Sequence, residues 1–589
     1  MCGICGIANL NTKEPVDENS LSLMSQAIMH RGRDDSGLHI DKYIGLASRR
    51  LSIIDVDQGK QPMCNEDGAI WVVYNGEIYN HDELRSELKR AGHVFKTLCD
   101  TEVILHGYEE YGVDVIQRLD GMFAFALWDS IKNILFIARD RMGIKPLYYA
   151  VVNDNFVFAS EIKALLKHKD IKKEIKMESV IEYILCTCLL NNNSMFKGVY
   201  SLPPGAYIIY CRGKTEVIRY WDIVLSDKTY GNENDIIAEL NSILGEAVRK
   251  QKMSDVDIGS LLSGGLDSGI ITKLLSDKSG SDIFTFSMDY KKNKNVNPNN
   301  SDEYFSGFLA ERLKTKHYSF IFDACDYYDF FEETTKSIEK PLDLTSISLF
   351  LLYMKIHEKV KVVLTGEGGD ELFAGYFFFL NGIKNASTFL GFPWSPYYTV
   401  VKDLFRDDLE ENDKCQHNIR REYLSLVEKH DTSDQLNVIL YLFLKLYLVE
   451  MLERQDKASM AWGVEARVPF LDHKLVEYVA NIPSRLKLNG DNEKYILKQA
   501  AKKILPCKIL ERKKRPLPFP IDPMTLYNQN KHSISLLKST DSLVTHVFDR
   551  EKTIDFLSDS GIYGNVDRLA KYRTSFAINS LDVWLRVFA

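Results

Sequence analysis

Short apolar runs broken by turns fill the first two hundred positions. Runs at 70–74, 122–128, 134–138 and 156–159 are rich in aromatic and β-branched residues and predict strands. Between them, Leu84 and Leu88 share one face of an amphipathic segment at 81–91, which Gly92 closes as a helix. Many strands with few helices predict layered sheets with helices outside. The segment Leu202-Pro203-Pro204-Gly205, then a strand at 206–210, ends this region.

The polar, turn-rich stretch 226–234 marks a linker, set at 223–239 between a first domain at 2–222 and a second at 240–589. Beyond it the rhythm becomes strand, loop, helix: a strand at 258–262, a loop at 263–268, a helix at 269–275 and a strand at 283–288. A polar insertion at 291–300, a helix to 313 and strands at 318–322 and 360–364 follow. Strands alternating with helices predict a parallel sheet with ligands at the carboxyl ends of its strands. From about 434 the chain reads as mainly helical. The apolar stretch 438–452 contains Lys445 and Glu450 and is short for a span, so it predicts a buried helix. There are no internal repeats.

A chain of 589 residues exceeds one core, which agrees with two domains. A net charge of -8 with mixed signs offers no basic stripe for nucleic acid or membrane, so neither is expected as a partner. The N-terminus lacks a cationic segment followed by an apolar run, and ten scattered cysteines suit free thiols, so a cytoplasmic location is expected. Cys2-x-x-Cys5 has no second ligand pair for zinc, and it lies too early for a redox pair at a helix start.

Cys2 offers other chemistry. If Met1 is removed, residue 2 carries a thiol and a free α-amine able to take the thiol proton, which makes an acyl-transfer nucleophile. Many chains begin Met-Cys, so the neighbours matter. They are Arg31-Gly32-Arg33-Asp34, Ser48 to Asp55, and Asn75-Gly76-Glu77-Ile78-Tyr79-Asn80 after a strand. With Cys2-Gly3-Ile4, these segments resemble the class II glutamine amidotransferase domain of the N-terminal-nucleophile hydrolases. Arg33 stands where that family usually has proline. The resemblance implies a four-layer αββα domain in which Cys2 attacks the glutamine side-chain amide. It further implies that the Asn75 side chain and Gly76 N–H stabilise the oxyanion, that Arg50, Leu51, Ser52, Ile53 and Ile54 bind glutamine, with Arg50 on its carboxylate, and that Glu77 and Asp100 hold its ammonium group.

In the second region, Ser263-Gly264-Gly265-Leu266-Asp267-Ser268 lies between a strand and a helix. Its backbone N–H groups and hydroxyls suit pyrophosphate, and Asp267 suits Mg²⁺. The nearest approach to a Walker loop, Gly213-Lys214-Thr215, fails because position 208 is Ile. This string, with Thr365-Gly366-Glu367-Gly368-Gly369-Asp370-Glu371 and Val464 to Asp472, resembles the ATP-pyrophosphatase domain of the asparagine synthetases, a parallel-sheet α/β fold. Thr365 stands where serine is common. The resemblance implies that Leu262, Ser263 to Ser268, Met288, Thr365 and Gly366 bind ATP, that Asp267 and Asp370 bind Mg²⁺, that Glu367 is the general base toward ammonia, and that Lys494 neutralises phosphate charge.

Arg467 and the aromatic run at 376–379 read as packing, with the run also a candidate lining for an ammonia passage. The expected partners are small molecules (glutamine, aspartate and ATP), with a homodimer as the candidate assembly. Two rival readings are a related amidotransferase acting on another carboxylate, which the insertion at 291–300 keeps open, and a sensor, which the presence of Cys2, Asp267, Glu367 and Asp370 disfavours.

Overall fold

Strand alternation in the first half resolves into two stacked antiparallel sheets. The computed structural model describes every residue except 1, 191, 212, 227–230, 280–282, 292–300, 377–400, 431, 521–522 and 559–567. The first sheet contains β1 (Cys2–Ala8), β2 (Asp35–Asp41) and β3 (Ile44–Arg50). The second contains β4 (Met63–Cys64), β5 (Ile70–Ile78), β6 (Gly121–Asp129) and β7 (Ile134–Arg139). β8 (Tyr148–Val152), β9 (Asn155–Ala159) and β10 (Val199–Ser201) complete the first sheet, and β11 (Ala206–Cys211) and β12 (Lys214–Arg219) the second.

Period-two patterning decides which face each side chain takes. Ile4 and Ala8 of β1 join Val73, Ala124, Ala126, Leu135 and Ile137 in the core between the sheets. Cys5 and Ile7 point the other way, toward Leu21 and Met24 of the helix Glu18–Ala27. On the far face of the second sheet, Phe123, Phe125 and Leu127 pack with Leu84, Leu88 and Val103 of two more helices. The layers are therefore helix, sheet, sheet, helix.

The second half is built on one parallel sheet. Its strands are β13 (Ile258–Leu261), β14 (Phe284–Tyr290), β15 (Lys316–Phe322), β16 (Val362–Leu364) and β17 (Glu465–Arg467), in the order β15-β14-β13-β16-β17. The protein is thus α/β throughout. β15 begins two residues before the predicted strand, and β16 two residues after it. The helix after β13 spans Leu266–Ser279, so it starts at Leu266 rather than 269. Gly264 makes the turn at φ +72, where a Cβ would lie 2.5 Å from the backbone of Phe305 and Ser306. The helix can therefore begin directly after the glycines, and Leu266, Asp267 and Ser268 form its first turn rather than a loop.

The apolar stretch at 438–452 lies in helix from Gln435 to Met460, long and apolar enough to cross a membrane. In the structure 72% of its most apolar window is buried. Leu440, Leu444, Leu448 and Leu452 are core residues. In the run at 376–379, residues 377–379 fall outside the described residues, as does 292–300 of the insertion. Tyr376 donates to Glu371 Oε1 at 2.5 Å.

Candidate active sites

Strand pairing assembles the first site. Antiparallel register sets Cys2 opposite Arg50, while Asn75, Gly76 and Glu77 end β5 on the other sheet. The Cys2 N–H donates to Asn75 Oδ1 at 3.0 Å, and Asn75 Nδ2 is buried without a hydrogen-bond partner. A Cβ on Gly76 would sit 2.2 Å from the Met122 carbonyl oxygen, so only glycine allows β5 and β6 to close there. The Cys2 side chain is buried, and burial pushes its thiol up; Arg50 works in the opposite direction. Gln61 reaches the sulfur at 3.8 Å through Nε2 and accepts from Tyr74 N at 2.7 Å.

Arg50 is buried and donates to the carbonyls of Ile54 (3.1 Å), Asp55 (2.7 Å) and Val56 (3.0 Å). It thereby shapes the loop that follows Leu51 and Ser52. Leu51 and Ile53 pack, with Ile54, against Val362 and Met460 of the second half. Asp100 accepts from Tyr74 Oη (2.7 Å) and Ile78 N (2.9 Å) through Oδ2. Glu77 is 2% exposed. One oxygen, Oε2, takes Arg467 Nη2 at 3.0 Å, and Oε1 is buried without a hydrogen-bond partner. Burial, then the nearby Asp100, push the Glu77 carboxyl up, against the pull of Arg467. Arg33, the departure noted above, donates to Ala461 O at 3.5 Å.

The second site lies at the carboxyl ends of β13 and β16. Two glycine-bearing loops meet there. A Cβ on Gly366 would lie 2.9 Å from Ser268 N, and one on Gly369 2.8 Å from Asp267 Oδ1. Ser263 and Ser268 hydroxyls lie 3.1 Å apart. Leu262 follows β13 and donates to Phe286 O at 2.7 Å, and Met288 is buried on β14. Lys494 is buried in the left-handed conformation (φ 53), just before the helix Tyr495–Ala501. Its Nζ bridges Asp267 Oδ2 (2.6 Å) and Asp370 Oδ1 (2.7 Å).

Lys514 also pairs with Asp370. Burial alone would raise the Asp370 carboxyl, but Lys494 and Lys514 hold it below the usual range. Glu367 is shifted up by burial, which outweighs Arg454 and Lys514. Beside them Glu371, buried among Asp370 and Glu367, is pushed up to about 8. Asp267, Glu367, Asp370 and Glu371 thus crowd carboxylates around two ammonium groups. Asp267 Oδ1 is buried without a hydrogen-bond partner. The Asp267 Oδ1, a hard oxygen left without a partner although Lys494 and Lys514 stand close, fits Mg²⁺. The cleft beside them is lined by Ser263, Gly265, Asp267, Ser268, Lys494 and Lys514 among others.

Two residues at these sites carry no expectation from the sequence as ligands. Lys514 sits in the basic run Arg512 to Arg515, where nothing in the pattern separates a ligand from a solvated lysine. Arg467 reads as packing, but the fold places its guanidinium on Glu77 of the other half, 390 positions away.

A family model described as a glutamine amidotransferase domain matches residues 1–221, and one described as asparagine synthase matches 239–586. Glutamine-hydrolyzing asparagine synthetase 3 of Bacillus subtilis is 33% identical over 583 residues, 95% of this chain and 94% of that one. Asparagine synthetase 1 of the same organism is 31% identical over 563 residues, 88% of this chain and 87% of that one. Among solved structures, glutamine phosphoribosylpyrophosphate amidotransferase from B. subtilis covers 54% of this chain and 65% of its own at 15% identity, with a TM-score of 0.28, too low to bear on the fold.

Proposed function

The chain belongs to the asparagine synthase family, and on that premise we propose that it makes asparagine from aspartate, ATP and glutamine with the residues described above. The reading is carried by one observation: a buried cysteine whose N–H is held by Asn75 shares a chain with a cleft where Asp267 and the serine hydroxyls of a glycine loop face a set of lysines and arginines. Cys2 attacks the glutamine amide carbon. The C–N bond breaks, ammonia leaves, and water then hydrolyses the thioester to glutamate. Asn75 Nδ2 and the Gly76 N–H are the donors for the oxyanion, and the orphaned Nδ2 is what such a role requires. The Arg50 loop takes the carboxylate end of glutamine, and Glu77 and Asp100 its ammonium group.

In the second site the aspartate β-carboxylate attacks the α-phosphorus of ATP and pyrophosphate leaves. The N–H groups at the helix start and the Ser263 and Ser268 hydroxyls cradle that pyrophosphate, and Lys494 and Lys514 offset its charge. Mg²⁺, held by Asp267 and Asp370, would neutralise phosphate oxygens when bound. Ammonia attacks the acyl-adenylate carbonyl and AMP departs. Glu367, made more basic by burial, takes the proton.

We keep the division at 2–222, 223–239 and 240–589 as part of this reading. All ten cysteines are free, which supports a reducing, cytoplasmic setting. A second copy of the chain is the proposed protein partner, without nucleic acid or membrane.

The test is the Cys2→Ala variant. It is expected to lose asparagine formation from glutamine while retaining it from ammonium salt, followed as aspartate-dependent pyrophosphate release. Loss of both activities, or pyrophosphate release with another acid and none with aspartate, would refute the assignment.

A further inference from the structure

Arg467 belongs to the last strand of the synthetase half, yet it ends in the glutamine site. It is fully buried, with 0% exposure. Nε contacts Glu465 Oε1 at 2.5 Å, Nη1 donates to the carbonyls of Gln251 (2.7 Å) and Met253, and Nη2 reaches Glu77 Oε2 at 3.0 Å. Every nitrogen of the guanidinium is therefore engaged. The main chain of the same residue is tied to the other site: its carbonyl accepts from Thr365 N at 2.9 Å, two residues before Glu367, and it pairs with Leu364 across β16 and β17.

Glu77 needs this partner. A carboxylate at its depth takes up a proton unless a cation faces it, and the neighbouring Asp100 pushes the same way. A neutral carboxylic acid would hold an ammonium group poorly. Arg467 occupies one oxygen and leaves Oε1 buried and unpartnered, an acceptor that a ligand ammonium would satisfy. The loop at 51–55 makes the same crossing. Asp55 N donates to Asp255 Oδ2 (2.9 Å), and Asp255 N donates to Ile53 O (3.1 Å).

We propose that Arg467 is a positioning residue supplied by the synthetase half, which holds Glu77 by one oxygen and aims the other into the glutamine site, so that the glutamine pocket is complete only while the two halves are docked. This rests on the reading of Glu77 as a ligand of the glutamine ammonium group. Lysine is no substitute, because one ammonium cannot fork between Glu465, Glu77 and two carbonyls.

The test uses the full-length chain with Arg467→Lys, Glu77→Gln and the double variant. Wild-type turnover of glutamine comes first; its absence would remove the reading of the site itself, whatever the variants do. With turnover present, Arg467→Lys is expected to raise the glutamine KM by roughly tenfold, with kcat and ammonia-driven synthesis each within about threefold of wild type. In the Glu77→Gln background the same substitution is expected to add less than about twofold, because the two act as one unit. A parallel fall of kcat, ammonia-driven synthesis and Tm, additive with Glu77→Gln, would assign Arg467 a merely structural role and overturn the proposal. Should Arg467→Lys not fold, Glu465→Gln leaves the Arg467–Glu77 pair in place. Its glutamine KM is expected within about twofold of wild type, and a rise of roughly tenfold would overturn the proposal.

Discussion

Replacing Asn75 with alanine removes the proposed oxyanion donor together with the acceptor that holds the Cys2 N–H. In the structure Asn75 uses its two ends differently. Oδ1 takes the Cys2 N–H at 3.0 Å and fixes the nucleophile, while Nδ2 is buried and has nothing to donate to. An amide N–H kept dry without a partner costs about 1–3 kcal/mol, and this cost is offset when charge develops on the attacked carbonyl oxygen. Losing one such preorganised donor costs about 3 kcal/mol of transition-state stabilisation, or roughly 150-fold in kcat for glutamine hydrolysis. The glutamine KM is expected to change little, because the ammonium and carboxylate ligands are the side chains of other residues, Glu77, Asp100 and Arg50. Glutamate release measures the first quantity, and pyrophosphate release with ammonium salt, expected at the wild-type rate, serves as the internal control. A fall in glutaminase kcat below about fivefold would show that Nδ2 does not face the oxyanion. Equal loss of the ammonia-driven rate would show that the substitution disrupts the fold instead.

Lys514→Met removes one of two cations on Asp370. A charge-assisted contact is worth about 1.5–3 kcal/mol, so kcat/KM for ATP is expected to fall by roughly 10- to 150-fold while glutamine hydrolysis persists. Because Lys514 lowers the Glu367 carboxyl, its loss should also move the acid limb of the ammonia-driven pH profile to higher pH; an unshifted limb would separate Lys514 from Glu367. His106 tests a structural cluster. Burial opposes its charge, but Glu102 and Glu109 raise it to about 9, while Glu102 is held at about 2. The raised histidine contributes stability that is fully present below its unfolded pKa near 6.5 and is lost as pH rises through about 9. His106→Gln should therefore lower Tm at pH 6 and leave it near wild type at pH 10; equal losses at both would exclude the ion pairs as the cause.

Much of the local structure could be read from the sequence. The run at 122–128 reads as a strand and is one, and its period of two sets Phe123 and Phe125 in one core and Ala124 and Ala126 in another. The glycine loops were visible as well, because a turn that brings backbone to a phosphate or a neighbouring loop excludes a Cβ at Gly264, Gly366 and Gly369. The helix start at Leu266 was missed by three residues, since Leu-Asp-Ser reads equally well as loop and as a first helical turn. Lys514 was missed because a lysine in a basic run has the same local pattern whether it meets water or Asp370.

The sequence by itself determined periodicity, turn chemistry and the residue types able to do acyl and adenylyl transfer, because each depends on neighbours within a few positions. Tertiary structure alone decided which charges meet. Arg467 reaches Glu77, Lys494 spans Asp267 and Asp370, and the Arg50 guanidinium turns to the carbonyls at 54–56. These pairings between charges far apart in sequence form where packing removes water and brings each buried charge its partner.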